Sequence, residues 1–279
     1  MKKSRVLRHY SKLVRLPLPN GIWAKLMSPL HFSGGSSSLR WDHDHSTYVL
    51  SQRGKELRIP RRNRLRMSYS GLDKRLQLLR DEYGLDLIPL QAGDLAIDVG
   101  ANIGEVTMVL QDKGLQVLSF EPDPVEYGSL VLNSKTPERC YPVALSNEDG
   151  QAVFFLKNNH GDSSLLQPPS HSGETIQVTT SRLDSILEPI LSAGEHSTVK
   201  LLKLEAEGAE PEILQGAELS LPRVEWISAD VGFERGKEGE STLPAVLATL
   251  APFGFELQTL LGPRLVAIFK NTRLVKAQD

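Results

Sequence analysis

Cysteine is almost absent from this 279-residue chain, with Cys140 standing alone. A single thiol excludes an internal disulfide and fits a reducing compartment. Cys140 lies beside Tyr141 and Val143 with no base next to it, so it reads as a packing residue in a strand and not as a nucleophile. No apolar run approaches the roughly 18 residues that a membrane-crossing helix needs. The first residues are basic but lack the apolar stretch of a signal peptide, so a cytoplasmic location is expected. Aromatic residues make up only 6%. Little aromatic interleaving accompanies the basic stretches, which disfavours nucleic acid as a partner. Acidic residues are scarce at one end only: residues 1–70 hold 15 Lys or Arg against 3 Asp or Glu, whereas residues 71–279 hold 17 against 31. Such asymmetry points to an interaction surface. It also divides the chain into a basic appendage, 1–70, and a larger domain, 71–279.

What the larger part contains is a strand, a glycine turn and a helix start at Gly93–Gly104, GDLAIDVGANIG. Leu95, Ala96, Ile97 and Val99 form the short apolar run of a buried parallel strand. Gly100 and Gly104 let the backbone turn sharply and approach a ligand, and the free N–H groups of a helix start point outward there. A second strand, Val117–Phe120, ends in Glu121, where a carboxylate can accept both hydroxyls of a ribose. The turn Gly100-Ala101-Asn102-Ile103-Gly104 lacks the middle glycine that lets a dinucleotide pyrophosphate settle on the backbone. Asp98 at its mouth repels a pyrophosphate and suits a cationic amine. Charge therefore favours S-adenosylmethionine over a nicotinamide dinucleotide.

The rest of the chain supplies further strands at Tyr141–Leu145, Ala152–Leu156, Ile176–Thr180, Val199–Leu204 and Trp226–Val231. Phe255–Leu260 and Leu265–Phe269 are joined too closely to be parallel, so they form an antiparallel pair. The expected fold is a doubly wound, Rossmann-like α/β sheet, mostly parallel with an antiparallel last strand. Leu72–Tyr83 reads as a helix ended by Gly84, expected to cover one edge of the ligand site. Val199–Leu204 delivers Glu205 to the carboxyl edge, with Glu207 and Glu210 close behind. Three acids within six residues are costly unless a cation or a proton sits among them, although Glu210 equally suits a first-turn cap. In the appendage, Val6, Leu7, Tyr10, Leu13 and Val14 share one face of a basic helix. An anionic membrane surface, a solvated flank and docking on the acidic domain all fit it. Arg58–Arg66 fits an anionic substrate, a lipid headgroup or an exposed linker. His43 and His45, flanked by Asp42 and Asp44, are expected in an exposed hairpin without metal.

The runs IDVGANIGE, SFEPDP, VALSNEDG, DSSLL, TSRLDSIL and LKLEAEGAEPEILQGA occur in an order and spacing that resembles FkbM-type methyltransferases, over roughly Tyr69 to Phe269. One departure is that Glu205 stands where that family usually has Asp, keeping the charge on a side chain one methylene longer. The resemblance implies an S-adenosylmethionine-dependent O-methyltransferase acting on a hydroxyl of a sugar, glycolipid or polyketide-like acceptor. It implies cofactor contacts at Asp98, Gly100, Asn102, Gly104, Glu121, Pro122 and Ala144. It also brings the loop at Asp162 and Ser163 close to the cofactor. Asp98 and Gly100 are assigned to the methionine part and Glu121 to the ribose. Glu205 or Glu207 is the expected general base, with His160 as the alternative. Two rivals are an NAD(P)-dependent oxidoreductase and a catalytically silent cofactor-binding scaffold.

Overall fold

The computed structural model describes residues 16–28, 37–156, 163–167, 173–194, 196–262 and 264–276. The basic helix expected before residue 16 lies outside the described residues, as do His160 and Asp162. The chain divides into two compact units between Leu79 and Arg80.

In the first unit, helix α1 (Asn20–Met27) precedes a meander of β1 (Ser37–Asp42), β2 (Thr47–Gln52) and β3 (Lys55–Ile59), all antiparallel. Trp23 and Tyr48 are buried and meet edge to face, with ring centroids 5.5 Å apart. Arg62 donates to Leu16 O, Leu18 O and the Tyr48 hydroxyl, and its guanidinium lies 5.0 Å from the Trp23 ring centroid. One member of the basic stretch is thus an internal strut. The Asp42–His45 segment is a hairpin turn: Asp42 accepts from the Asp44 and His45 amides and pairs with Arg58. No group of His, Cys, Asp and Glu among the described residues could hold a metal ion. Helix α2 (Leu72–Glu82) follows, and the division between the units falls within it.

The second unit is built on one sheet. Its elements in order are β4 (Leu95–Val99), α3 (Glu105–Asp112), β5 (Gln116–Phe120), α4 (Pro124–Asn133), β6 (Cys140–Tyr141), β7 (Ala144–Leu145), β8 (Gly150–Phe155), β9 (Thr175–Ser181) and α5 (Leu183–Ser192). There follow β10 (Val199–Leu204), α6 (Glu210–Gln215), β11 (Val224–Asp230), β12 (Phe233–Arg235), β13 (Glu240–Ser241), α7 (Leu243–Leu250), β14 (Phe255–Leu261), β15 (Val266–Asn271) and α8 (Thr272–Lys276). Seven strands pair in the order β14-β15-β11-β10-β4-β5-β6. β15 runs antiparallel to both neighbours, and the run from β11 to β6 is parallel. This is the Rossmann-like sheet with an antiparallel last strand that the sequence predicts. Leu183, Leu187 and Leu191 of α5 recur every fourth residue and are buried in the core with Leu202, Leu204 and Ile227 of the sheet. No helix among the described residues is long and apolar enough to cross a membrane.

Tyr141–Leu145 is not one strand, as its sequence suggests. β6 stays in the main sheet, whereas β7 joins β9 and β8 in a separate three-stranded sheet. Pro142 stands between them and has no N–H to give to a ladder, so the chain leaves one sheet and enters the other around it.

A buried polar row crosses the main sheet. Ser119, Asp98, Lys203 and Ser228 stand in register on β5, β4, β10 and β11. Paired residues of parallel strands face the same side: Asp98 meets Lys203, while Ser119 bonds Thr107 and Ser228 donates to the Tyr83 carbonyl.

Candidate active site

The carboxyl ends of β4, β5, β10 and β11 converge at the glycine turn. Gly100 has φ +66°, and a β-carbon there would lie 1.8 Å from the Glu205 carbonyl oxygen. Only glycine lets the turn and the end of β10 come this close. Asn102 follows in the left-handed region at φ +53°, which Asn tolerates better than most residues. Its amide donates to Glu121 Oε2 at 2.8 Å, and the Asp123 amide donates to Glu121 Oε1 at 2.8 Å. Glu121 is therefore fixed at the end of β5 by two backbone donors, while each oxygen keeps a second lone pair. Burial pushes its carboxyl up to about 8, against the lowering effect of the Asp123 and Asn102 amides. Gly104, at φ +87°, caps α3 and gives room to Leu130 of α4, so its part is helix packing.

Asp98 is buried beneath the turn. Thr107 donates to its Oδ2 at 2.7 Å, and Lys203 Nζ stands 3.0 Å from its Oδ1. Lys203 is 1% exposed. It donates to the carbonyls of Val99 and Gly100 at 3.0 Å each and lies 5.2 Å from the Tyr83 ring centroid. Burial alone would lower its pKa, but Asp98 and Glu205 outweigh burial and hold it above its ordinary value.

Glu205 joins this group to a second cation. Its Oε2 lies 3.4 Å from Lys203 Nζ, and its Oε1 accepts from Arg264 Nη2 at 2.6 Å. Burial would raise its carboxyl, yet Lys203 and Arg264 bring it down to about 2. Arg264, from the β14–β15 connection, also binds Asp230 Oδ2 through Nε at 3.0 Å and Nη2 at 2.8 Å. Asp230 Oδ1 accepts the Gly232 amide, and burial keeps this carboxyl above its ordinary value despite Arg264. Glu210 folds back as a cap: Oε1 accepts the amides of Ala206 at 2.8 Å and Gly208 at 3.3 Å. Burial lifts it to about 7. Ser164 Oγ donates to the Glu207 carbonyl at 3.1 Å, tying the loop after β8 to the same edge.

The structure thus gathers Gly100, Asn102 and Glu121 around the turn, with Glu205 against Gly100 and Glu207 just beyond it. Pro122 follows Glu121 at this edge and is half-buried. Ala144 is buried with Phe154 and Val178 in the small sheet. Ser163 is half-buried beside Ser164. Lys203, Arg264 and Tyr83 join the site beyond the residues expected from the sequence, and Glu234 on β12 lies within electrostatic reach of Glu205 and Asp230. Lys203 had a visible signal, a cation inside the apolar run VKLLKL. Arg264 gave none beyond its position in a short connection.

Comparison with known proteins gives a consistent picture. A family model described as a methyltransferase FkbM domain matches residues 98–257. The chain is 26% identical over 238 residues to the 2-O-methyltransferase NoeI of Sinorhizobium fredii, covering 78% of this chain and 96% of that protein. It is 29% identical over 205 residues to the 31-O-demethyl-FK506 methyltransferase FkbM of Streptomyces tacrolimicus, covering 60% and 75%. It is 26% identical over 157 residues to the hexuronic acid methyltransferase AglP of Haloferax volcanii, covering 54% and 62%.

Proposed function

This chain belongs to the FkbM methyltransferase family, and on that premise we propose that it transfers a methyl group from S-adenosylmethionine to a hydroxyl of a sugar or polyketide-like small molecule. The family match sets aside the oxidoreductase reading. The observation that carries the cofactor assignment is Glu121, held by the Asn102 and Asp123 amides with one lone pair left on each oxygen. Two vicinal ribose hydroxyls match those acceptors. The acceptor class follows from relatives whose names record a 2-O-, a 31-O- and a hexuronic acid methylation.

When bound, S-adenosylmethionine supplies a methyl group already activated by its sulfonium. The protein's own work is to hold both partners in line and to take a proton from the hydroxyl. Gly100 lets the turn close against the end of β10, which shapes the edge a ligand meets. Asp98, Glu205 and Asp230 outnumber Lys203 and Arg264, and this negative surplus suits a cationic ligand. Asp98 acts through the turn: it anchors Lys203, which holds the Val99 and Gly100 carbonyls. Glu205 ties that arrangement to Arg264. A carboxylate near 2 with a cation on each oxygen is a weak proton acceptor, so its part in the reaction is to organise the edge.

Calorimetric titration with S-adenosylhomocysteine tests this reading. Micromolar binding, weakened at least about tenfold by Glu121→Ala (roughly 1.4 kcal/mol), is expected. A folded wild-type protein that binds none would overturn it.

A further inference from the structure

Resting on the methyltransferase reading, the geometry points to a general base absent from the residues considered so far for that part: we propose that Glu234 on β12 receives the proton of the acceptor hydroxyl.

The carboxylates of this edge differ in what already holds them. Both oxygens of Glu205 face cations. Asp230 is 2% exposed, and its oxygens are taken by the Gly232 amide and Arg264. Glu210 is 1% exposed and spends Oε1 on two backbone amides. Glu234 differs on both counts. Among the described residues it makes no hydrogen bond and no ion pair, and it is only half-buried. It lies within electrostatic reach of Asp230 from β11, Glu205 from the end of β10, Glu210 from α6 and Arg264 from the β14–β15 connection.

A second feature marks the same place as built to receive something. Glu210 Oε2 is buried without a hydrogen-bond partner, and the Glu210 carboxyl is within electrostatic reach of Asp230 and Glu234. An unpartnered carboxyl oxygen close to a half-open carboxylate is unfavourable in isolation, and a hydroxyl-rich ligand that hydrogen-bonds the accessible Glu234 relieves part of it.

The hairpin that carries Glu234 is pinned by its neighbour. Arg235 donates to the Gly208 carbonyl at 2.6 Å and binds Glu212 at 2.6 and 2.9 Å. Gly208 makes this approach possible, since a β-carbon there would lie 2.6 Å from Arg235 Cα. Next to Glu234 on the other side, Phe233 is 70% exposed. In the reaction the acceptor oxygen forms the new bond to the methyl carbon. The carbon–sulfur bond breaks, and its electron pair stays on sulfur as the neutral thioether. The hydroxyl proton passes to the Glu234 carboxylate and then to solvent at its exposed side. Burial, Asp230, Glu205 and Glu210 keep Glu234 up at about 7 despite Arg264, which matches a base working near neutral pH.

Glu234→Gln, Glu234→Asp and Glu207→Gln test this in the full chain. The first readout is binding of S-adenosylhomocysteine, expected to be unchanged within about threefold in Glu234→Gln. The second is a carbon-13 titration of glutamate carboxyls, in which a resonance moving near neutral pH vanishes in Glu234→Gln. The third is transfer of labelled methyl to methyl glucoside and methyl glucuronide as probes. There Glu234→Gln lowers kcat at least about 100-fold and removes the near-neutral limb of the pH profile, and Glu234→Asp restores part of it. Wild-type turnover and limb in Glu234→Gln, loss of the limb in Glu207→Gln instead, or titration of Glu234 in the ordinary carboxylate range overturns the assignment. A wild-type protein that binds no S-adenosylhomocysteine, or binds it and methylates neither probe, counts against the cofactor or acceptor reading beneath it.

Discussion

The Glu205 carbonyl oxygen occupies the space that a β-carbon on Gly100 would need, 1.8 Å away. The first residue of the turn and the first residue beyond β10 are thus fitted backbone to backbone. Gly100→Ala must push one of them aside, and its left-handed φ adds about 1 kcal/mol of strain. The expected result is a folded but less stable protein whose affinity for S-adenosylhomocysteine falls at least about tenfold, some 1.4 kcal/mol. Calorimetry and thermal melts read both; wild-type affinity in this variant would refute the close fit.

Lys203→Met removes a buried cation that serves four oxygens. It leaves Asp98 charged beneath the turn and Glu205 with Arg264 alone. A loss of about 3–5 kcal/mol is expected. Adding Asp98→Asn should recover part of it, because the stranded charge is then gone. Urea denaturation of the single and double variants decides the matter: equal stability in both would mean that the two residues do not act as a pair.

The legible and illegible parts of this molecule differ in kind. The strand positions and the antiparallel close followed from period and spacing, because a buried strand is mostly apolar and a connection as short as Leu261–Arg264 must be antiparallel; the order of the strands in the sheet did not. Glycine positions were readable because Gly100 performs a steric task that no other residue can. Asp98 was assigned to a ligand when its carboxylate faces inward to Lys203 and Thr107, since a one-dimensional pattern does not say toward which neighbour a side chain turns. Arg264 lies 59 residues from Glu205 and meets it only because β15 enters the sheet beside β11. Pro142 was present in the sequence but was passed over as a strand breaker.

Removing Arg264 has a pH signature. The folded-state value of Glu205, about 2, lies below its ordinary 4.5. Its ion pairs therefore contribute stability that is present above pH 4.5 and lost as the pH falls toward 2. Arg264→Met moves the folded value back toward 4.5. The variant should be less stable than wild type at neutral pH, with the gap narrowing on acidification. Denaturation midpoints between pH 2 and 7 measure it, and a gap independent of pH would show that Arg264 acts only through packing.

Glu121 has the opposite sign. Its folded-state value of about 8 lies above its ordinary 4.5, so wild type loses stability as the pH rises from 4.5 through 8. Glu121→Gln cannot ionise, and its amide nitrogen meets a backbone donor, which costs about 1–3 kcal/mol at every pH. Its stability should be lower than wild type in acid but flatter across the window. Parallel melting curves from pH 5 to 8.5 would rule the expectation out.

The place of β15 between β11 and β14 also sets an order of assembly during synthesis. The glycine turn, Glu121 and the strands that hold them leave the ribosome before the segment bearing Arg264. Until that segment arrives, Glu205 has Lys203 alone as its cation, and β11 lacks its outer neighbour. The nascent chain can therefore form the glycine turn and the Glu121 end of the edge before the pairing of Glu205 with Arg264 is complete. A nascent chain exposed through β11 but not yet through residue 264 would then carry Glu205 with one of its two cations.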